Sequence, residues 1–75
     1  MTGIVRAIVS KRHFGFIRSN GSDYFFHRED FNGFWEDLEL DYTKDQIQVT
    51  FDIVVSNKGP RAANVKRTDF PNQAV

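Results

Sequence analysis

The 75-residue chain has no cysteine, so neither a disulfide nor a thiolate metal site is open to it. Its two histidines, His13 and His27, have no acidic partner at ligand spacing, and no metal or other cofactor is expected. No apolar run approaches the length of about eighteen residues that would suggest a membrane span. Met1-Thr2-Gly3 leads into mixed apolar and basic residues rather than a charged stretch followed by a long apolar one. These absences predict a soluble, intracellular protein of the cytoplasm that makes no use of a membrane. The formal net charge is zero, which argues against an indiscriminate polycation.

Catalytic machinery is missing as well. No nucleophile stands beside a base, and no glycine-rich phosphate cradle opens a helix. The acidic residues gather in one segment away from the aromatic ones. Neither an enzyme nor a small-molecule substrate is expected; a nuclease would have to show cutting of RNA that depends on a divalent ion. Seventy-five residues make one small domain, close to the lower limit for a fold held by a single apolar core.

What the chain does have is aromatic side chains, eight of them phenylalanine. In Arg12-His13-Phe14-Gly15-Phe16-Ile17 and Tyr24-Phe25-Phe26-His27 they recur at every second position. Strand side chains alternate between faces, so Phe14 with Phe16 and Phe25 with His27 point one way, while Gly15, Ile17, Tyr24 and Phe26 point toward a core. Between the two stretches lies Asn20-Gly21, a strong hairpin signal that makes the two rows of rings neighbours. Both faces of the Tyr24 to His27 strand are aromatic, yet a small barrel has one inside. One set must be exposed, and an apolar patch kept in water implies use.

Charge is segregated along the chain. Residues 1–28 carry Arg6, Lys11, Arg12, Arg18 and Arg28 against Asp23, a net charge of +4. Residues 29–45 carry seven acids against Lys44, a net charge of −6, and residues 46–75 return to +2. The positive excess accompanies the rings, and flat rings among cations suit unpaired bases and their phosphates. The candidate binding residues are Arg6, Arg12, His13, Phe14, Phe16, Phe25, His27, Arg28, Trp35, Lys58 and Arg61, with single-stranded RNA or DNA as the partner of a monomeric protein.

Strands are expected at about Thr2 to Ser10, Phe14 to Arg18, Ser22 to His27, Ile47 to Ile53 and Ala62 to Lys66. The first is rich in β-branched residues, and the fourth alternates Ile47, Val49, Phe51 and Ile53 with polar residues. Glu29-Asp30-Phe31 is a possible single helical turn. Asn32 to Trp35 reads as a loop with two exposed-looking rings, Asp37 to Asp45 as an acidic segment without a motif, and Ser56 to Pro60 as a turn. Residues 1–68 form the domain, and 69–75 read as a flexible tail. Five short strands without a crossover helix predict an all-β fold, an antiparallel closed or nearly closed barrel. Periodicity alone permits either an OB-fold or an SH3-like barrel.

Three motifs carry a resemblance. Arg12 to Ile17 resembles the K-G-F-G-F-I motif of cold-shock domains, Tyr24 to His27 their V-F-V-H motif, and Lys58-Gly59-Pro60-Arg61-Ala62-Ala63-Asn64-Val65 their G-P-Q-A-A-N-V signature. The order and spacing agree from about Gly3 to Arg67. The resemblance implies a five-stranded OB-fold whose second and third strands face the nucleic acid, and an RNA-chaperone role under cold or other stress. The chain departs from the family at several positions: Ala7 stands where the first strand has tryptophan, His13 replaces a glycine, Arg28 replaces a phenylalanine, and the acidic segment is a few residues longer. Arg6 keeps the charge of the family's lysine. The neutral net charge, the missing tryptophan and the acidic segment leave an alternative, a small barrel serving as a protein-interaction adaptor.

Overall fold

A computed structural model describes residues 1–68; the expected tail at 69–75 lies outside the described residues. Five strands, β1 (Thr2–Val9), β2 (Phe14–Ser19), β3 (Ser22–His27), β4 (Gln48–Ser56) and β5 (Gly59–Arg67), close into a barrel in the order β1-β2-β3-β5-β4. The expected all-β, five-stranded barrel is the one observed. One detail differs from an all-antiparallel arrangement: β3 meets β5 in parallel, through the single ladder pair Phe25 and Arg61.

The β2–β3 hairpin turns on Asn20 and Gly21, both with positive φ, as the two-residue turn matching strand twist requires. Its ladder pairs Phe14 with His27, Phe16 with Phe25 and Arg18 with Asp23. On the inner face Ile17 and Phe26 are fully buried. Gly15, between the two ring-bearing positions of β2, is also inside, and a Cβ there would come within 2.6 Å of the Ala7 carbonyl oxygen. Only glycine lets β2 lie this close to β1, which explains the residue between the two phenylalanines. Ser19, buried at the end of β2, donates its hydroxyl to the Thr2 carbonyl, 2.7 Å away, so its polar group is satisfied.

Two irregularities shape the barrel. Along β1 the pairing with β2 shifts between Val5 and Ala7, making Arg6 an inserted residue; Val5 and Ile8 face the core while Arg6 and Ala7 both lie off it. On the other side the β4–β5 register shifts between Thr50 and Asp52, where Asn64 of β5 takes φ 52°. Beyond that bulge β4 is exposed from Asp52 to Ser56, while β5 stays in the barrel wall through buried Ala62 and the pairing of Arg61 with Phe25. Val49 and Phe51 are buried in β4 and Ile47 just before it, but Ile53, expected to continue their apolar face, is exposed. The turn is also tighter than expected, with Asn57 and Lys58 alone between the paired Ser56 and Gly59, so that β5 begins at Gly59 rather than Ala62.

Between β3 and β4 the chain makes a short 3-10 turn, Arg28–Asp30, and then a helix, α1 (Trp35–Asp41). Sequence periodicity did not anticipate this helix. Trp35 and Leu38, one turn apart, both point into the core, and Trp35 packs edge-on against Phe26 and Phe31. The indole Nε1 donates to Glu39 Oε2 at 2.7 Å, satisfying the polar atom that burial would otherwise strand. Glu36 and Asp37 in the first turn suit the positive end of the helix.

Candidate nucleic-acid interface

Phe14 and Phe16 of β2 and Phe25 of β3 form one cluster on the outer face of the barrel, all three half-buried. Ring centroids lie 5.2 Å apart for Phe14 and Phe25, 5.8 Å for Phe14 and Phe16, and 6.1 Å for Phe16 and Phe25. The Phe16 ring stands nearly edge-on to its neighbours, so the three support one another while each leaves part of its surface in water. Ala7 pairs with Phe16 from β1, so a methyl group rather than a ring borders this cluster on that side.

One end of the ring face is the turn joining β1 to β2. His13 has φ 59°, in the left-handed region that favours glycine. Its carbonyl accepts the Arg28 N–H at 2.8 Å, which brings exposed Arg12, His13 and Arg28 to the same end as Phe14 and His27. His27 is itself held at the start of the 3-10 turn. Its Nδ1 accepts the Glu29 N–H at 3.2 Å and its own N–H donates to Asp30 Oδ2 at 3.0 Å. With Nδ1 occupied as acceptor, Nε2 is the nitrogen left to donate outward.

The far end carries Arg6, Arg18 and Asp23. Arg18 Nε lies 2.6 Å from Asp23 Oδ1, and Arg6 Nε 3.9 Å from Oδ2. The hydrogen bond from Arg18 holds the Asp23 carboxyl below its ordinary range, with the charges of Arg18 and Arg6 adding to the effect; the same bond raises Arg18. Along the side formed by β5, Arg61 is ion-paired with Asp30, and its guanidinium carbon lies 6.0 Å from the Phe25 ring centroid. Phe25, Ser56, Lys58, Pro60 and Arg61 line a groove between the ring cluster and the exposed β4–β5 turn.

Of the eleven candidates, the rings Phe14, Phe16, Phe25 and His27 therefore share one surface. Arg12, His13 and Arg28 stand at one end of it, Arg6 at the other, and Lys58 and Arg61 along one side. Trp35 requires correction. It was expected in a loop with an exposed ring, but it begins α1 with 4% of its surface accessible and belongs to the core. The exposed ring of that segment is its neighbour Phe34. Of the residues that condition the charges around the rings, Arg18 counts among the flanking cations in the sequence but not among the candidates, and sequence reasoning missed Asp23 and Asp30. The pairing of Arg18 with Asp23 was within reach, because the two are placed symmetrically about Asn20-Gly21 and a two-residue turn pairs them.

Among the described residues no three His, Asp or Glu side chains are grouped to hold a metal ion, and no helix is long and apolar enough to cross a membrane. Among curated proteins none matches the chain. The family model described as the 'Cold-shock' DNA-binding domain matches residues 1–68, the same span that forms the barrel and its ring-bearing face. The chain belongs to the cold-shock domain family, a nucleic-acid-binding and non-enzymatic one.

Proposed function

We propose that the protein binds single-stranded RNA or DNA on this face, stacking unpaired bases on Phe14, Phe16, Phe25 and His27. Arg6, Arg12, His13, Arg28, Lys58 and Arg61 are assigned to the phosphates and base edges around them. The observation that carries the reading is the cluster of three phenylalanine rings left half in water on the outside of the barrel, bordered by cations. Each stacked base contributes about 1–3 kcal/mol with little regard to its identity, so the binding is tolerant of sequence. A duplex hides the faces of its bases. Preference for the open strand shifts local pairing toward the melted state, which is the action of an RNA chaperone. We assign residues 1–68 to one independently folding domain, acting as a monomer in the cytoplasm.

The test is anisotropy of a labelled pyrimidine-rich oligonucleotide at low and high salt, with the matching duplex as control. Tight, salt-sensitive binding of the single strand and weak binding of the duplex are expected. A second reading, a protein-interaction adaptor, is favoured by the exposed apolar residues Ile53, Val54 and Val55 of β4. Lack of oligonucleotide binding even at low salt would replace the first reading by the second.

A further inference from the structure

The proposed platform ends at Arg18 and Asp23, but the surface does not. β1 pairs with β4 only from Thr2 to Ile4, and the Val5 N–H reaches the Ile47 carbonyl at 2.9 Å. From Arg6 onward β1 has no β4 partner, and residues 42–46 run beside it. Between them lies a groove of about 620 Å³, lined by Ile4, Arg6, Arg18, Thr43, Lys44 and Asp45 among others. It is an open trough along the surface rather than an enclosed ligand cleft, a shape that suits a passing strand.

The outer wall of this groove is fixed in place. The Thr43 hydroxyl donates to the Leu40 carbonyl at 2.8 Å, and the N–H groups of Lys44 and Asp45 both donate to the Asp41 carbonyl at 3.0 Å. Asp41 is in turn paired with Arg67 of β5 at 2.9 Å, so the wall is tied to both the helix and the barrel. Arg6, Arg18 and Lys44 line the groove with one acid, Asp45; Arg6 and Arg18 share Asp23 at its edge, so the charge is balanced but for Lys44. Lys44 makes no ion pair among the described residues, although it lies in the most acidic part of the sequence.

The geometry points to this groove as a phosphate-binding extension of the interface, which receives the sugar-phosphate backbone of the nucleotides that continue past Phe16. This rests on the single-strand reading above. Arg6 and Arg18 border both the Asp23 end of the ring face and the groove, so a strand leaving Phe16 crosses them without a gap. Its lining mixes charged and polar side chains with Ile4, Val5 and one half-buried ring, Tyr42, and offers no ring cluster like the platform's. The groove therefore senses backbone charge, not base identity.

The test is affinity for labelled oligothymidylates of graded length, from about four nucleotides, the short end of single-strand site sizes on such barrels, to about ten. The variants are Lys44→Gln, Asp45→Asn and Phe16→Ala. The native protein is expected to gain affinity with the nucleotides that reach past the rings. Lys44→Gln removes part of that gain, leaves the shortest oligonucleotide unaffected, and flattens the log–log salt slope on the long one by about 0.7, the value for one single-strand phosphate contact. Between 50 and 200 mM salt the gap between native and variant then narrows by about 2.6-fold. Asp45→Asn moves long-oligonucleotide affinity the opposite way, and Phe16→Ala weakens every length. Equal loss on short and long strands in Lys44→Gln, or no loss with an unchanged slope, overturns the groove and leaves the platform standing. Failure of the native protein to bind any length overturns both.

Discussion

Asp30 Oδ2 accepts two bonds at once, one from the guanidinium of Arg61 and one from the backbone N–H of His27. Only one ladder pair, Phe25 with Arg61, joins β3 to β5, so this carboxylate fastens the seam on which barrel closure depends. It also holds a cation beside the Phe25 ring while neutralising it. Asp30→Asn is expected to cost about 1 kcal/mol in urea unfolding, a modest figure because Arg61 is partly exposed and water replaces some of what is lost. Released from its pair, Arg61 meets phosphate without a competing carboxylate, and the salt slope of oligonucleotide binding steepens by up to about 0.7. A destabilised variant with an unaltered slope would mean that Asp30 acts on the fold alone.

Phenylalanines on the two faces of the barrel should fail differently. Phe16→Ala and Phe25→Ala each remove one stacking surface and are expected to weaken single-strand binding by about 1–3 kcal/mol, roughly 5- to 150-fold, with the fold retained. Phe51, with 2% of its surface accessible and packed against Tyr24, leaves a cavity on truncation. Phe51→Ala is expected to cost about 3–5 kcal/mol of stability while the folded fraction keeps its affinity. If Phe25→Ala unfolded the protein and Phe51→Ala did not, the two faces would be inverted.

The contrast between these rings was legible from period two alone. Alternation in β2 and β3, with Asn20-Gly21 between them, fixes which residues share a surface and which are cross-strand neighbours. Trp35 was illegible for the corresponding reason. Its helix has seven residues, too few for a helical period to stand out, and the one apolar partner in phase, Leu38, is accompanied by Leu40, which is 61% exposed. The bulges at Arg6 and Asn64 were hidden as well. A single inserted residue leaves no mark on composition, yet in β1 it turned Arg6 outward beside Ala7.

Burial of Trp35 makes its fluorescence a report on folding. The emission is expected to be blue-shifted in the native protein, to move to the red on unfolding, and to stay unchanged when saturating oligonucleotide is added. Quenching by oligonucleotide at constant fold would place the indole at the interface instead. Trp35→Ala removes the contacts with Phe26 and Phe31, and is expected to destabilise by about 3–5 kcal/mol.

The platform can be enlarged. Ala7 is half-buried on β1 directly across from Phe16, on the outer side of the barrel. Ala7→Trp adds a ring next to the existing cluster. It is expected to tighten single-strand binding by up to about 1–3 kcal/mol, the contribution of one more stacked base, with a smaller change for duplex. An unchanged affinity in a folded Ala7→Trp protein would show that bases do not pass along β1.

Asp23 makes the interface respond to acid. Its carboxyl, with an ordinary value of 3.8, is lowered chiefly by the hydrogen bond from Arg18. A group lowered on folding stabilises the native state at pH values above its unfolded value, and that contribution is lost as pH falls through the folded one. The loss therefore begins below about pH 4, and a neutral Asp23→Asn protein lacks that part of the acid limb. Arg18, raised by the same partner, remains charged throughout this window. Protonation or substitution frees both Arg18 and Arg6 from their shared acid at the end of the ring face. At neutral pH, Asp23→Asn should then bind single strands more tightly and with a steeper salt slope, while carbon NMR of the native protein places the Asp23 midpoint below 3.8. A midpoint at or above the ordinary value would break the link between this pair and the acid response, and weaker binding by Asp23→Asn would make the carboxylate itself a contact to the nucleic acid.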